Sequence, residues 1–489
     1  MSAPRTVVVG GGMGGLLIAI RLRAAGHDVV VLERLDQFGG KVAEWRRDGW
    51  TFDLGPSLVT LPHLYDEVLH LAGTSLAEEM TMVRLSPQFR YTWTDGSTVD
   101  VHDDPHDTAA ALDALSPGSG ARYLRVLARA RRIWEVSERT FLAGPMTGTR
   151  QMFGRMSSPR DLLAIDPLRT LAAAARRDFD DPRLRQMLGR YATYSGSSPY
   201  RAPATLACIA AVEADHGAWY PIGGLTALRD AVVRAAQRCG VELHTGADVA
   251  RIVDDGERVR GVRLADGTER AADHVVANVD AEHLYADLLP DRAAVRRVRA
   301  IPRSTSGVVV LVGARGTTGG IAHHNVWFSS DYRREFSEMD AGRMAGDPTI
   351  YACVSSVTDA SQAPHGCENW FLLVNAPPGA AVDAAAYGPW LLERLAERGP
   401  DLRGRAEFVE TITPHDLEAR YRTRGGSIYG TSSNGIRAAF RRPSNAGARK
   451  GLHLVGGSSH PGGGLPLVAV SARIVADTIL GSAESRPRR

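Results

Sequence analysis

Short apolar runs separated by glycines mark both ends of the chain. Val7-Val8-Val9 predicts a buried strand, Gly10-Gly11-Gly12 breaks it, a helix opens at about Met13-Gly14-Gly15-Leu16, and Val29-Val30-Val31-Leu32 predicts a second strand ending at Glu33. Strand and helix signals alternate to about Leu71. Residues 81–101 then read as short strands around an Asp95-Gly96 turn, and Ser116-Pro117-Gly118-Ser119-Gly120 opens a helical region reaching about Ala192. After Trp219-Tyr220-Pro221-Ile222-Gly223-Gly224-Leu225 come a helix, a strand near Val241 and a meander turning at Asp255-Gly256 and Asp266-Gly267. That meander ends in a strand at Val275-Val276-Ala277-Asn278. Val308-Val309-Val310-Leu311-Val312 and Trp370-Phe371-Leu372-Leu373-Val374 predict a second sheet between about 301 and 376. A last strand, glycine loop and helix run from Gly451 to about Ile479, residues 482–489 read as a loose tail, and no internal repeat occurs.

The first unit carries a specific chemistry. Gly10 permits a tight turn, Gly12 lets a pyrophosphate approach the backbone, and Gly15 packs the helix on the sheet. The helix start offers unpaired N–H groups and a positive dipole end to phosphates, and Glu33 can accept from the hydroxyls of an adenosine ribose. With strand, helix and acid all at the right spacing, the unit reads as dinucleotide-binding.

Six residues beyond Glu33 stand Gly39-Gly40-Lys41, followed by Gly49-Trp50-Thr51-Phe52-Asp53-Leu54-Gly55-Pro56-Ser57. This run resembles the N-terminal signature of the FAD-containing amine oxidase and phytoene desaturase superfamily. The superfamily usually has arginine at position 41; lysine keeps the charge and loses the bidentate fork. Further stretches extend the resemblance along nearly the whole chain: residues 190–200 (Arg190-Tyr191-Ala192-Thr193-Tyr194-Ser195-Gly196-Ser197-Ser198-Pro199-Tyr200), residues 219–225, His323-His324-Asn325-Val326-Trp327-Phe328, Asp347-Pro348-Thr349-Ile350-Tyr351 and residues 456–466. They are similar to bacterial carotenoid desaturases of the phytoene type, and residues 190–200 especially to the hydroxyneurosporene or methoxyneurosporene desaturase branch.

The resemblance implies an α/β fold: a Rossmann-like FAD-binding domain of the glutathione-reductase or amine-oxidase type, assembled from residues 1–80, 215–300 and 440–481. Residues 81–214 and 301–439 would form a mixed-sheet and helical substrate domain. It implies that FAD is held by Gly10, Gly12, Met13, Gly14, Gly15, Glu33, Gly39, Gly40, Lys41, Gly55, Pro56, Ser57, Gly456, Gly457 and Leu465, with Val249 facing the adenine. The implied reaction is dehydrogenation of a long apolar polyene by hydride transfer to flavin. Such a reaction needs a held substrate, a dry site and at most a weak base. His460 is the expected base, since its glycine loop belongs near the flavin; Trp219 and Tyr220 are expected to line the substrate site. Glu213, Asp215 and His216 read as an exposed helix end. Alternative substrates are polyketide-derived polyenes, oxidised or isomerised, and a flavin-free alternative is a prenyl-lipid escort.

Composition fits this picture. The 489 residues are 44% hydrophobic and 23% charged, enough for two or more cores, and a net charge of +3 makes no general case for nucleic acid. Residues 121–190 nevertheless hold 15 Arg against 7 Asp plus Glu. In the first helix there, Tyr123, Val126, Leu127, Ala130, Ile133 and Trp134 share one face while Arg122, Arg125, Arg129 and Arg132 share another. The arginines read as solvated, or as a membrane-facing surface within residues 119–192 where the substrate is a lipid. Without an 18-residue apolar run or a signal peptide, the chain reads as cytoplasmic, with any membrane contact peripheral on the inner face of the cell membrane. Cys208, Cys239, Cys353 and Cys367 stand apart and read as reduced packing thiols. No metal is expected, because adjacent histidines such as His323-His324 on a strand would point to opposite faces. A second GxGxxG following a strand, which a nicotinamide-reducing flavoenzyme would carry, is absent from the sequence, which points to oxygen or a membrane quinone as electron acceptor.

Overall fold

In a computed structural model, described here over residues 3–146, 151 and 154–481, the chain builds two principal sheets. The first is parallel and five-stranded. Its centre is β1 (Arg5–Val9), flanked on one side by β2 (Asp28–Leu32) and Glu242–His244, and on the other by His274–Ala277 and Leu452–Leu454. Both faces of β1 are covered, which is why it is a continuous valine run. Helix α1 (Met13–Ala24) follows the glycine turn and packs between helices Leu225–Arg238 and Leu465–Ile479. A helix enclosed on several sides can be apolar all round, and α1 is buried from Met13 to Ile20.

The second sheet has seven strands in the order Ala406–Ile412, Ser306–Arg315, Cys367–Ala376, Ile350–Cys353, His324–Trp327, Phe89–Thr92 and Thr98–Val101. All neighbours are antiparallel except His324–Trp327 beside Phe89–Thr92. Nine of the ten residues of Ser306–Arg315 are buried. Its outer face meets helix Ala384–Ala396 through Val308, Val310 and Val312, and its inner face meets Trp50 and Phe52 through Val309 and Leu311. The expected meander forms as Val249–Asp254, Val259–Leu264 and Glu269–Ala271.

Helix Ser119–Thr140 buries Tyr123, Val126, Leu127, Ala130 and Ile133, as its periodicity predicts. Its basic face is less free than the arginine count suggests. Arg122 pairs with Asp180, Arg129 with Asp178, Arg131 with Asp215 and Arg139 with Asp161. Three of these carboxylates belong to the same stretch, residues 121–190, and Asp215 alone comes from outside it, so four arginines are paired while the excess of the stretch remains. No helix among the described residues is long and apolar enough to cross a membrane. The expected tail, residues 482–489, lies outside the described residues.

Gly15 carries the tightest packing in the first unit. A Cβ there would stand 2.2 Å from the Gly10 carbonyl oxygen, whereas one at Gly319 would meet nothing within 4 Å. Gly15→Ala is therefore expected to destabilise the fold by about 1–3 kcal/mol through overpacking, and Gly319→Ala to be near neutral, both read from urea unfolding midpoints.

Candidate functional site: a cavity between two sheets

A cavity of about 510 Å³ runs from the ends of β1 and β2 to the inner face of the second sheet. At its first end the backbone itself forms the wall. Gly10 has a φ of +95°, and a Cβ on it would lie 2.6 Å from the Asn278 carbonyl oxygen. Only glycine fits both constraints. Gly12 bridges to Gly39, whose N–H donates to the Gly11 carbonyl at 2.8 Å, so two glycine loops close on each other. The start of α1 has no side-chain cap and no acid in its first turn, leaving its N–H groups for an anion.

Glu33 stands at the end of β2 and is only 7% exposed. Its Oε2 accepts from Gly11 N–H at 2.7 Å and its Oε1 from Leu35 N–H at 2.8 Å, which fixes the carboxylate at the cavity wall. Each oxygen keeps a further lone pair for a ligand hydroxyl. Val249 lines the same end. Lys41 reaches the wall too, but its Nζ donates to the carbonyls of Ile428 at 2.5 Å and Ser427 at 3.3 Å. Burial brings its pKa down to about 8. It ties two segments together as well as facing the cavity.

Gly10, Gly12, Met13, Gly14, Glu33, Gly39, Gly40, Lys41, Gly55, Pro56, Ser57, Val249, Gly456, Gly457 and Leu465 all line this one cavity. Gly15 sits behind the wall, against Gly10. A cradle of bare backbone, a helix start and an anchored carboxylate together suit a dinucleotide, and a side chain at Gly12 would collide with the Asn278 amide, 2.9 Å away.

Three other expectations require correction. His460 does not line the cavity: it is 3% exposed, and its Nε2–H donates to the Phe141 carbonyl at 2.8 Å. Burial lowers its pKa to about 4, so it is a packed, neutral ring and not a cavity base. Trp219 and Tyr220 do not line the cavity either. They belong to a strand, Trp219–Pro221, paired with Met82–Arg84; Trp219 Nε1 donates to the His216 carbonyl, and Tyr220 is fully buried against His323. Finally, His323 and His324 do not diverge. The strand begins at His324, so strict alternation does not govern His323, and the two ring centroids lie 4.5 Å apart.

Sequence reasoning missed the polar cluster at the far end. Arg190, buried at the cavity wall, donates from Nη1 to Tyr91 Oη and Tyr194 Oη, each at 3.1 Å, and stacks over Phe89 at 4.6 Å. Tyr194 donates its hydroxyl proton to Glu213 Oε1. Glu213, expected at an exposed helix end, is 2% exposed, and burial raises its pKa. The signal was present only as Arg190 and Tyr194, spaced four apart.

Fold and cavity together define a dinucleotide-binding protein with a backbone cradle for its cofactor, and its family makes it a flavin-containing oxidoreductase. The chain belongs to the flavin containing amine oxidoreductase family, whose pattern matches residues 13–348. It is 37% identical to the hydroxyneurosporene desaturase of Cereibacter sphaeroides, over 99% of each chain. It is 36% identical to the zeta-carotene-forming phytoene desaturase of Myxococcus xanthus, over 97% of this chain and 94% of that one. A solved putrescine oxidase, a triple mutant, shares the fold with a TM-score of 0.66 at 15% identity, over 98% of this chain and 99% of that one.

The His460 environment sets a pH dependence. In the fold the ring stays neutral down to about pH 4, whereas the unfolded ring takes a proton near 6.5. Its contribution to stability is therefore complete above 6.5 and lost as pH falls from 6.5 to 4. His460→Asn is expected to lose up to about 1.4 kcal/mol less stability per pH unit than the parent across that window. Unfolding midpoints at pH 7, 6 and 5 measure this, and the buried carboxylates cancel in the difference.

Proposed function

We propose that the protein is an FAD-dependent desaturase that introduces carbon–carbon double bonds into an acyclic carotenoid or a similarly long polyene. The observation that carries this reading is the continuity of the cavity: a backbone cradle at one end, and walls from Val309, Val326, Phe371 and Leu373 of the second sheet at the other. The names of the relatives support the same substrate class.

Each residue group has a stated task. Glu33 accepts from the ribose, Val249 covers the adenine, and the N–H groups at the start of α1 receive the pyrophosphate. Residues 456–457 and 465 place a glycine loop and a second helix start beside the flavin ring. Bound there, the flavin supplies the hydride acceptor. The apolar walls hold the polyene and exclude water; at about 0.8 kcal/mol per buried CH2, ten carbons contribute about 8 kcal/mol before association losses. With His460 facing away, Tyr194 and Glu213 take the role of base. As the substrate C–H proton reaches Tyr194 Oη, the tyrosine's own proton moves to Glu213 Oε1, and the raised pKa of that buried carboxyl favours its keeping the proton.

The substrate enters from lipid. Leu163 and Leu168 are each 80% exposed on one short stretch of the helical region, and supply the apolar contact that the paired arginines do not.

Anaerobic mixing of flavin-loaded protein with acyclic carotenoids in vesicles is expected to bleach the flavin's visible band, and failure with every such carotenoid would sink the reading. Tyr194→Phe is expected to retain flavin and slow the bleaching roughly 10²- to 10⁴-fold. The double substitution Leu163→Ser with Leu168→Ser is expected to reduce flotation with anionic vesicles while leaving the flavin spectrum unchanged.

A further inference from the structure

Behind the cavity wall lies a cluster that the desaturation chemistry does not use. His324 opens the strand His324–Trp327 and pairs directly with Cys353, the last residue of Ile350–Cys353, which puts their side chains on one face. His323 folds in beside them. The three are 3%, 0% and 7% exposed, and one ligand-capable atom from each lies within 4.8 Å of the others.

The hydrogen bonds of the two rings are asymmetric in the same sense. His323 Nδ1 is 2.8 Å from Thr358 Oγ1, and His324 Nδ1 is 2.9 Å from Tyr351 Oη. Nε2 of each ring is buried with no hydrogen-bond partner among the described residues. If each Nδ1–H donates to its hydroxyl, each Nε2 carries an uncompensated lone pair in a dry interior. One ring nitrogen held by an outer partner while the other stays free is the arrangement of an oriented histidine metal ligand.

We propose that His323, His324 and Cys353 form a binding site for one cuprous ion, held by Nε2 of each imidazole and by the Cys353 thiolate. The donor set selects the ion. Two imidazoles and a thiolate suit a soft metal of low coordination number, and Cu(I) with one thiolate is neutral overall, which a buried site favours. Zn(II) would keep a net positive charge and would call for a fourth donor. The nearby carboxylate of Asp53 is already engaged by Leu225 N–H, at 2.9 and 3.1 Å. Binding involves no redox change: Cu(I) forms the Cu–S and two Cu–N bonds, the S–H bond breaks, and its proton leaves to solvent. A small crevice of about 10 Å³ is lined by Cys353 and Ser57, and Ser57 also borders the large cavity. Tyr351 Oη bonds both His324 and Ser57, so the ion would brace a cavity wall residue through one hydrogen bond.

The test uses untagged, flavin-loaded protein under anaerobic reducing conditions, titrated with Cu(I) against a coloured cuprous chelator. The expected result is one equivalent of copper withdrawn per chain, a copper-edge absorption spectrum with two nitrogens and one sulfur, and loss of that equivalent in Cys353→Ser. Flavin content and circular dichroism establish that the variant is folded. No copper uptake, equal uptake by the folded Cys353→Ser protein, or a wild-type spectrum without sulfur would each overturn the site; the last holds even where the variant misfolds. Displacement of the bound copper by equimolar Zn(II) would overturn the choice of ion.

Discussion

The close approach of two stretches of bare backbone governs the molecule. Residues 10–12 and 39–40 meet with no side chain between them, and the Gly12 to Gly39 bridge joins the first loop to the second. A cofactor phosphate can reach peptide N–H groups only where such a gap exists, and the gap persists only because the sheet below and the helices above are rigid. Glu33 strengthens it from the side by accepting from Gly11 N–H. The same carboxylate that suits a ribose therefore also holds the turn in shape.

The second sheet solves a different problem. An apolar ligand needs walls that give up no hydrogen-bonding capacity, and a sheet satisfies its own backbone while presenting alternate side chains. Ser306–Arg315 and Cys367–Ala376 do this with valines, leucines and aromatics buried on both faces. Beside the cavity, Arg190 hydrogen-bonds two tyrosines, and one of them, Tyr194, donates to Glu213. A largely apolar interior thus holds a tyrosine at the cavity wall hydrogen-bonded to a buried carboxyl.

What the sequence made legible follows from how local each constraint is. The strand, turn, helix and acid of residues 7–33 lie within one supersecondary unit, so their spacing encodes their geometry, and the meander turns at Asp255-Gly256 and Asp266-Gly267 are equally local. Contacts made across the fold were not readable. Glu213 meets Tyr194 only after the chain between them has turned back on itself, so its burial could not be inferred from a helix end. His460 sits in a glycine loop of the expected kind, yet the loop directs the ring toward Phe141 instead of the cavity. Alternation failed at His323 because the strand starts at His324, so the two histidines do not both stand on it.

The order of strands in the parallel sheet has a consequence for how the protein is made. β1 lies at the centre, one of its neighbours comes from residues 274–277, and the edge strand beyond that comes from residues 452–454. A ribosome must therefore release nearly the entire polypeptide before the nucleotide cleft can close, and until then the valine-rich N-terminal strands wait with their edges exposed. Synthesis that stops early would yield sticky fragments instead of a partly working protein, which makes the nascent chain a natural client for chaperones that shield apolar strands.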